Sequence, residues 1–541
     1  MHPASHTHSS IRMSAGTFQS MVGSRYRHSR WSLRAATLQL CVRLVIVALT
    51  SVSIQVGAAI PESERQVLIN LYNATGGPNW TNTATPWIGN RGTECTWSHI
   101  HCTSDGNHID RLFFYDNNLA GKLPDLSALG QLKILDIEVA ALSELPDFHT
   151  LPRSLTDLGL IQCGLTGIIP DMRSLPPTLS RFDLNSNSLT GPIPDLSAAP
   201  ENLAYFDVEI NQLTGSVPPL TKRLKAFLAS ANQLDGTISE LKGYVSLKEF
   251  GVAVNKLQGK IPPITGLDLQ IFDVRKNKLT GKIPEISSNK NMIFFGASDN
   301  LLEGEMPSLA GLSQLQQLIV SENKISGRIP PLDGLANLIV LSLYNNMFTG
   351  TIPNISELTK LQYLYASNNM LEGGIPSLRG LTALQEFVVS DNLLSGEVPP
   401  LIDLPSLTAF FANNNLLSGQ LPDLSGTPLQ NFRVQENRLS GKMPSLPLTI
   451  ENFYIDHNML TGDIPDLDEL PSLTNIRFGY NSLAGALPKA PSTLAPGYSN
   501  ICPNPIRLTD APAWDAATGI SPWYAACGTD IFSDGFDLGS N

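Results

Sequence analysis

The side chains of this 541-residue chain that could do chemistry fall into three groups: six cysteines, nine histidines, and aromatic and arginine residues in its last third. Cys95, His99, His101 and Cys102 lie close enough together to suggest a metal, but their spacing lacks the two paired knuckles of a zinc site. Asp530, Asp534 and Asp537 could ligate calcium, yet the alternating D-x-D-x-D-G arrangement is missing. No metal and no other cofactor is therefore expected. The sequence contains no G-x-S-x-G elbow, H-E-x-x-H pair, phosphate-binding G-x-x-x-x-G-K-[ST] loop or kinase motif, so the chain is read as non-catalytic. Past residue 59 only His99, His101, His108, His149 and His457 remain, and all but the last fall in or near one short N-terminal segment.

Charge and hydropathy say where such a chain works. Its 48 acidic residues against 36 Lys plus Arg give −12, while the first 59 residues hold six Arg and no acid. Those arginines precede an apolar run from Leu44 to Val56 that ends in Gly57-Ala58-Ala59, the pattern of a secretory signal peptide over 1–59 cleaved near Ala59. Removing it lowers the charge by six to about −18, which argues against nucleic acid and anionic membranes as partners. No later segment approaches the ~20 apolar residues of a membrane span, so a secreted or cell-surface location is expected. Cys41 leaves with the signal. Cys95 with Cys102, and Cys502 with Cys527, flank the region between them as two pairs and are expected to form disulfides in an oxidising compartment.

What positions the remaining candidates is a repeat. LSRFDLNSNSLTGPIP at 179–194 recurs as LQQLIVSENKISGRIP at 315–330 and LTAFFANNNLLSGQLP at 407–422. Aligned on the Asn, seventeen units run from 117 to 481 with a mean period near 23. In each unit alternate apolar residues, such as Phe182 and Leu184, point one face of a short strand inward. One strand cannot bury that face alone, so successive units must stack their strands into a parallel sheet. Asn187, Asn211 and their equivalents are expected to form a buried ladder, because an amide can satisfy both donors and acceptors of neighbouring turns. Asn345, beside the ladder residue Asn346, is read as an exposed neighbour that tolerates alanine. Gly191 and Gly236 suit positions of positive φ or crowded backbone, and Pro194 and Pro218 discourage a continuous helix on the outer face.

This pattern resembles the leucine-rich repeat family, and the L-T-G-x-I-P element at 189–194 and 279–284 looks like its plant-type subclass, found in receptor-like ectodomains and secreted proteins. The resemblance implies a curved, twisted solenoid with a concave parallel β-sheet, and short second strands and turns or 3-10 segments on the outer face. Segment 60–108 is similar to that subclass's N-terminal cap, with Val67, Leu68, Leu71 and Tyr72 on one helical face, then Trp80, Trp87 and Trp97 beside the Cys95–Cys102 loop. The repeats then occupy 109–498, and 499–529 is expected to form a C-terminal cap closed by Cys502–Cys527. The acidic stretch 530–541 reads as a flexible tail, similar to short tails of exported bacterial proteins. Two departures stand in the ladder: position 140 is Ala and position 163 is Cys. Because the family accepts Cys there, Cys163 is read as a free, buried ladder residue.

The register also places a candidate binding surface, on the residues that flank the inward strand positions. Early units put acids there: Asp136, Glu138, Asp183, Asp207 and Glu209. Later units put Tyr344, Tyr363, Tyr365 and Phe411 on neighbouring strands, followed by Arg433, Tyr454, His457, Arg477 and Tyr480. Strands about 4.8 Å apart would bring these together as one strip of exposed aromatics and arginines, the composition of binding hot spots and of sugar-stacking surfaces. The expected function is an exported recognition scaffold whose concave face binds an extracellular protein, peptide or polysaccharide. The competing expectation is a structural or adhesive spacer at the cell surface.

Overall fold

In the unit at 179–194 Phe182 and Leu184 are fully buried, and each remaining unit repeats the arrangement with Leu, Ile, Val or Phe. The computed structural model describes residues 59–81 and 87–527; the expected tail, and all of the expected signal but Ala59, lie outside the described residues. Seventeen parallel strands, from Ile109–Tyr115 to Asn475–Arg477, pair each with the next, and Ile100–Cys102 adds one antiparallel edge strand. The register holds residue for residue, so that Tyr365 meets Val388, Val388 meets Phe411 and Phe411 meets Arg433. Side chains therefore line up in columns across the sheet. Short second strands follow the ladder positions and form separate sheets, the longest running from Gln258–Lys260 to Ile506–Arg507. On the outer side the early units carry 3-10 turns such as Met172–Ser174 and Leu196–Ala198, each capped by the preceding Asp side chain.

The inward columns are continuous. Phe182, Phe206, Phe227, Phe250, Phe272 and Phe295 stack ring on ring at 5.4 to 5.8 Å, and Phe387, Phe410, Phe432 and Phe453 form a second stack. Leu318, Leu341 and Leu364 hold the interval between them. The ladder is present as well. Asn346 Oδ1 accepts from Ile325 N at 3.0 Å, and its Nδ2 donates to the carbonyls of Val320, Leu343 and Tyr344. Gly191 has φ of +75°, whereas at Gly236 the constraint is space, since a Cβ there would run into Ser216.

Cys163 takes the ladder position fully buried, its thiol lying 3.3 Å from Ile137 O and 3.4 Å from Ile161 O. Burial pushes this thiol up to about 12. Its folded pKa thus exceeds the unfolded value of 9.0, so its contribution to stability is complete below pH 9 and declines as pH rises from 9 towards 12. Native protein at pH 8 is expected to leave Cys163 unlabelled by a thiol reagent, with labelling appearing only on denaturation. Rapid labelling of the native chain would contradict the placement.

Both ends of the array are covered. At the N-terminal end helix α1 (Glu62–Ala74) buries Val67, Leu68 and Leu71, and Tyr72, Trp80, Trp87, Trp97 and Phe114 pack as one aromatic cluster over the first unit. Cys95 is bonded to Cys102. At the other end Cys502 is bonded to Cys527, and Trp514 and Trp523 are buried, with Trp514 edge-on to Phe478. The ladder does not stop at Asn481. Asn504 Oδ1 accepts from Leu483 N, its Nδ2 donates to Phe478 O and Ile501 O, and Ile506–Arg507 pairs with the preceding second strand. The segment expected as a pure cap therefore begins with one more turn of the solenoid. No helix among the described residues is long and apolar enough to cross a membrane.

Candidate functional site

The sheet column one residue past the inward Leu or Phe decides what the solvent face offers. From Ala409–Phe411 to Asn475–Arg477 this column reads Phe411, Arg433, Tyr454, Arg477, each paired in register with the next. The spacing of parallel strands matches the thickness of stacked planar groups, and the side chains interleave accordingly. The Arg433 guanidinium lies 4.7 Å from the Phe411 ring and 4.9 Å from the Tyr454 ring, and Arg477 lies 4.8 Å from the other side of Tyr454. Cation and ring thus alternate over four strands, an attraction of about 0.5–2 kcal/mol per pair depending on desolvation. Burial holds the Arg433 guanidinium below its ordinary value, and the neighbouring Arg477 charge acts in the same direction.

Upstream the strip is aromatic and apolar. Tyr363 and Tyr365 lie side by side on one strand; the Tyr363 hydroxyl donates to Gln385 at 2.7 Å and the Tyr365 hydroxyl to Glu386 at 2.8 Å. Tyr365 packs on Val388, Ala409 and Phe411, an apolar cluster separate from the solenoid core. Burial first, then the Glu386 carboxylate, raise the Tyr365 phenol, and burial raises Tyr344. Downstream His457 stacks on Tyr480 at 4.1 Å and hydrogen-bonds Asp456. Exposure differs from the sequence expectation. Phe411 and Tyr454 are buried, Tyr344, Tyr363, Tyr365, Arg433 and Arg477 are half-buried, and Tyr480 alone of the eight expected binding residues is exposed. Cross-strand stacking is the reason, because each planar group covers its neighbour.

A family profile described as Leucine Rich Repeat matches residues 337–357 and 360–381, within the units that hold Tyr344, Tyr363 and Tyr365. No curated protein sequence matches the chain significantly. Among solved structures the chain is similar to the plant peptide hormone receptor RGFR1 in complex with RGF2, at 25% identity and TM-score 0.64 over 79% of this chain and 82% of that one. It is also similar to the ectodomain of the Arabidopsis receptor kinase HAESA with an extended IDA peptide, at 26% identity and TM-score 0.61 over 82% and 87%. A third structure, PEPR1 with AtPEP1, aligns at 25% identity and TM-score 0.63 over 85% and 78%. The fold is a leucine-rich repeat solenoid.

On this leucine-rich repeat sheet the early acids are not a free surface. Asp183 is fully buried, and Asp136 and Asp207 nearly so. Arg181 lies 2.7 Å from Asp183 and 3.4 Å from Asp136, and the Tyr205 hydroxyl donates to Asp207. Burial alone would lower the Arg181 guanidinium, but Asp183 and Asp136 more than offset this and raise it. Removing Asp183 would strand that guanidinium, so the residue belongs to the architecture of the sheet. Reading acids without the Arg one strand away gave the wrong polarity to this half.

One functional feature of the repeats escaped the sequence reading. In the column beside the arginines, Asn475 donates to Asn452 Oδ1 at 2.6 Å and Asn452 to Asn431 Oδ1 at 2.8 Å, a second amide ladder on the solvent face. Its signal was available, since each of these Asn immediately precedes an inward Phe or Ile. Among the described residues no group of three or more His, Cys, Asp or Glu is placed to hold a metal ion.

Proposed function

We propose that the chain is an exported, non-catalytic recognition scaffold that binds an extracellular ligand on the concave face of its sheet, along the strip from Tyr344 to Tyr480. The observation that carries this reading is the change in sheet-face chemistry. Carboxylates neutralised by Arg181 give way to small residues such as Gly251 and Gly296, and these to a continuous aromatic and guanidinium strip over the last seven strands. Aromatics and arginine carry most of the energy at recognition surfaces because they bury large area at low entropic cost. Similarity to receptor ectodomains solved with peptide hormones supports a ligand-binding role, and two disulfides support an extracellular location. The small side chains of the middle columns are what favours the alternative, a surface spacer.

A binding screen of the secreted chain against extracellular proteins, peptides and polysaccharides tests the proposal. With a ligand in hand, Tyr365→Ala and Arg433→Ala are each expected to weaken binding by about 1 kcal/mol or more, with thermal melting checked in parallel. Glu138→Gln and Glu209→Gln, at the far end of the sheet, should leave affinity unchanged. Losses at the two glutamates and none at Tyr365 or Arg433 would move the site, and insensitivity to all four would favour the spacer.

A further inference from the structure

The charges within the strip say what the ligand carries. Elsewhere on the same sheet face each guanidinium has a carboxylate: Arg181 has Asp183 and Asp136, and Arg275 lies 2.7 Å from Asp273. Arg433 and Arg477 have no carboxylate within 4.0 Å among the described residues. Rings hold them instead, and Arg433 Nε is enclosed without a hydrogen-bond partner. A partly desolvated guanidinium lacking an anion is unfavourable. Acids outnumber bases 48 to 36 in this chain, so a lack of carboxylates does not explain the omission.

Geometry narrows the class of anion. The two arginines occupy one column on alternate strands, which sets their charges about 10 Å apart, twice the strand spacing. Beside them runs the amide ladder Asn431–Asn452–Asn475, ending at Asn475 Oδ1, which has no hydrogen-bond partner. Amides donate and accept, as sugar hydroxyls do, whereas the carboxylates of an acidic peptide only accept. A guanidinium fork suits carboxylate or sulfate oxygens.

We propose that this strip takes an acidic polysaccharide, a linear glycan whose successive carboxylate or sulfate groups pair with Arg433 and Arg477 while its hydroxyls meet the Asn ladder. The inference rests on the recognition reading above.

Binding of the secreted chain to polygalacturonate, dextran sulfate and neutral dextran tests it, with poly-L-glutamate as the peptide counterpart. One or both acidic polysaccharides should bind, weakening as salt rises, and neutral dextran should not. The R433Q/R477Q double variant should lose about tenfold or more in affinity, while R433K/R477K retains most of it and both melt as the parent does. Which polymer binds identifies carboxylate or sulfate. Equal affinity in parent and R433Q/R477Q, or loss in K278Q/K282Q instead, would overturn the site. Arg-dependent binding of poly-L-glutamate with neither polysaccharide bound would overturn the glycan assignment and leave recognition on this face standing. If no polyanion binds, the inference fails, and the recognition reading is decided by its own screen.

Discussion

Phe250→Ala is expected to destabilise the array by about 3–5 kcal/mol, the range for removing a buried aromatic from a packed core. Phe250 is fully buried and stacks on Phe227 at 5.7 Å and on Phe272 at 5.5 Å, so the substitution opens a void and breaks two ring contacts at once. Each contact adds roughly 0.5–1.5 kcal/mol to the area term. In a solenoid every unit leans only on its neighbours, so the damage should be local. Urea unfolding followed by native-state hydrogen exchange measures both aspects. Protection should fall in the units on either side of residue 250 and persist at the caps; a loss below about 1 kcal/mol would mean that the Phe column adds little to the core.

The second large effect is expected at Asn346. Alanine there removes the acceptor for Ile325 N and the donor to three carbonyls, leaving polar backbone groups inside the turn without partners. At about 1–3 kcal/mol for a stranded buried group, a total near 3 kcal/mol is expected. Asn346→Asp should lose nearly as much, because a carboxylate keeps the acceptor and abolishes the donors. The neighbouring Asn345 was expected to be exposed and tolerant, but it is half-buried with φ of +52°. Asparagine accepts that left-handed conformation better than alanine, so Asn345→Ala is expected to cost about 1 kcal/mol. Chemical denaturation of the three variants separates the roles; equal losses at 345 and 346 would deny the ladder its part in stability.

The period, the inward alternation, the interior Asn and both disulfides were legible because each follows from a local pattern of short range. The end of the array was harder to see. Ile501-Cys-Pro-Asn504-Pro-Ile506 keeps the spacing of an apolar residue, Asn and apolar residue, 23 residues past Asn481, but it lacks the Gly and the flanking Leu that make other units conspicuous. Asn345 was misjudged because the backbone angle before each ladder residue leaves no compositional mark: Val254, Lys276, Glu322 and His457 all adopt it. The candidate strip was located by register alone, yet its exposure was not. Whether Arg433 reaches solvent or slots between Phe411 and Tyr454 depends on rotamers chosen across three strands.

The residue-for-residue pairing of successive strands also governs how such a chain can change in length over generations. Excising one whole unit, for instance the 23 residues from one ladder Asn at 346 to the next at 369, joins equivalent positions and leaves each column and each amide bond with a neighbour. A cut of any other length throws the columns out of step and turns core side chains towards water. Insertions and deletions are therefore quantised. Each one moves the paired acids around Arg181 and the unpaired guanidinium groups of Arg433 and Arg477 closer together or further apart by one strand spacing, about 4.8 Å. The reach of the recognition face is counted in whole repeats, while its chemistry is edited one column position at a time.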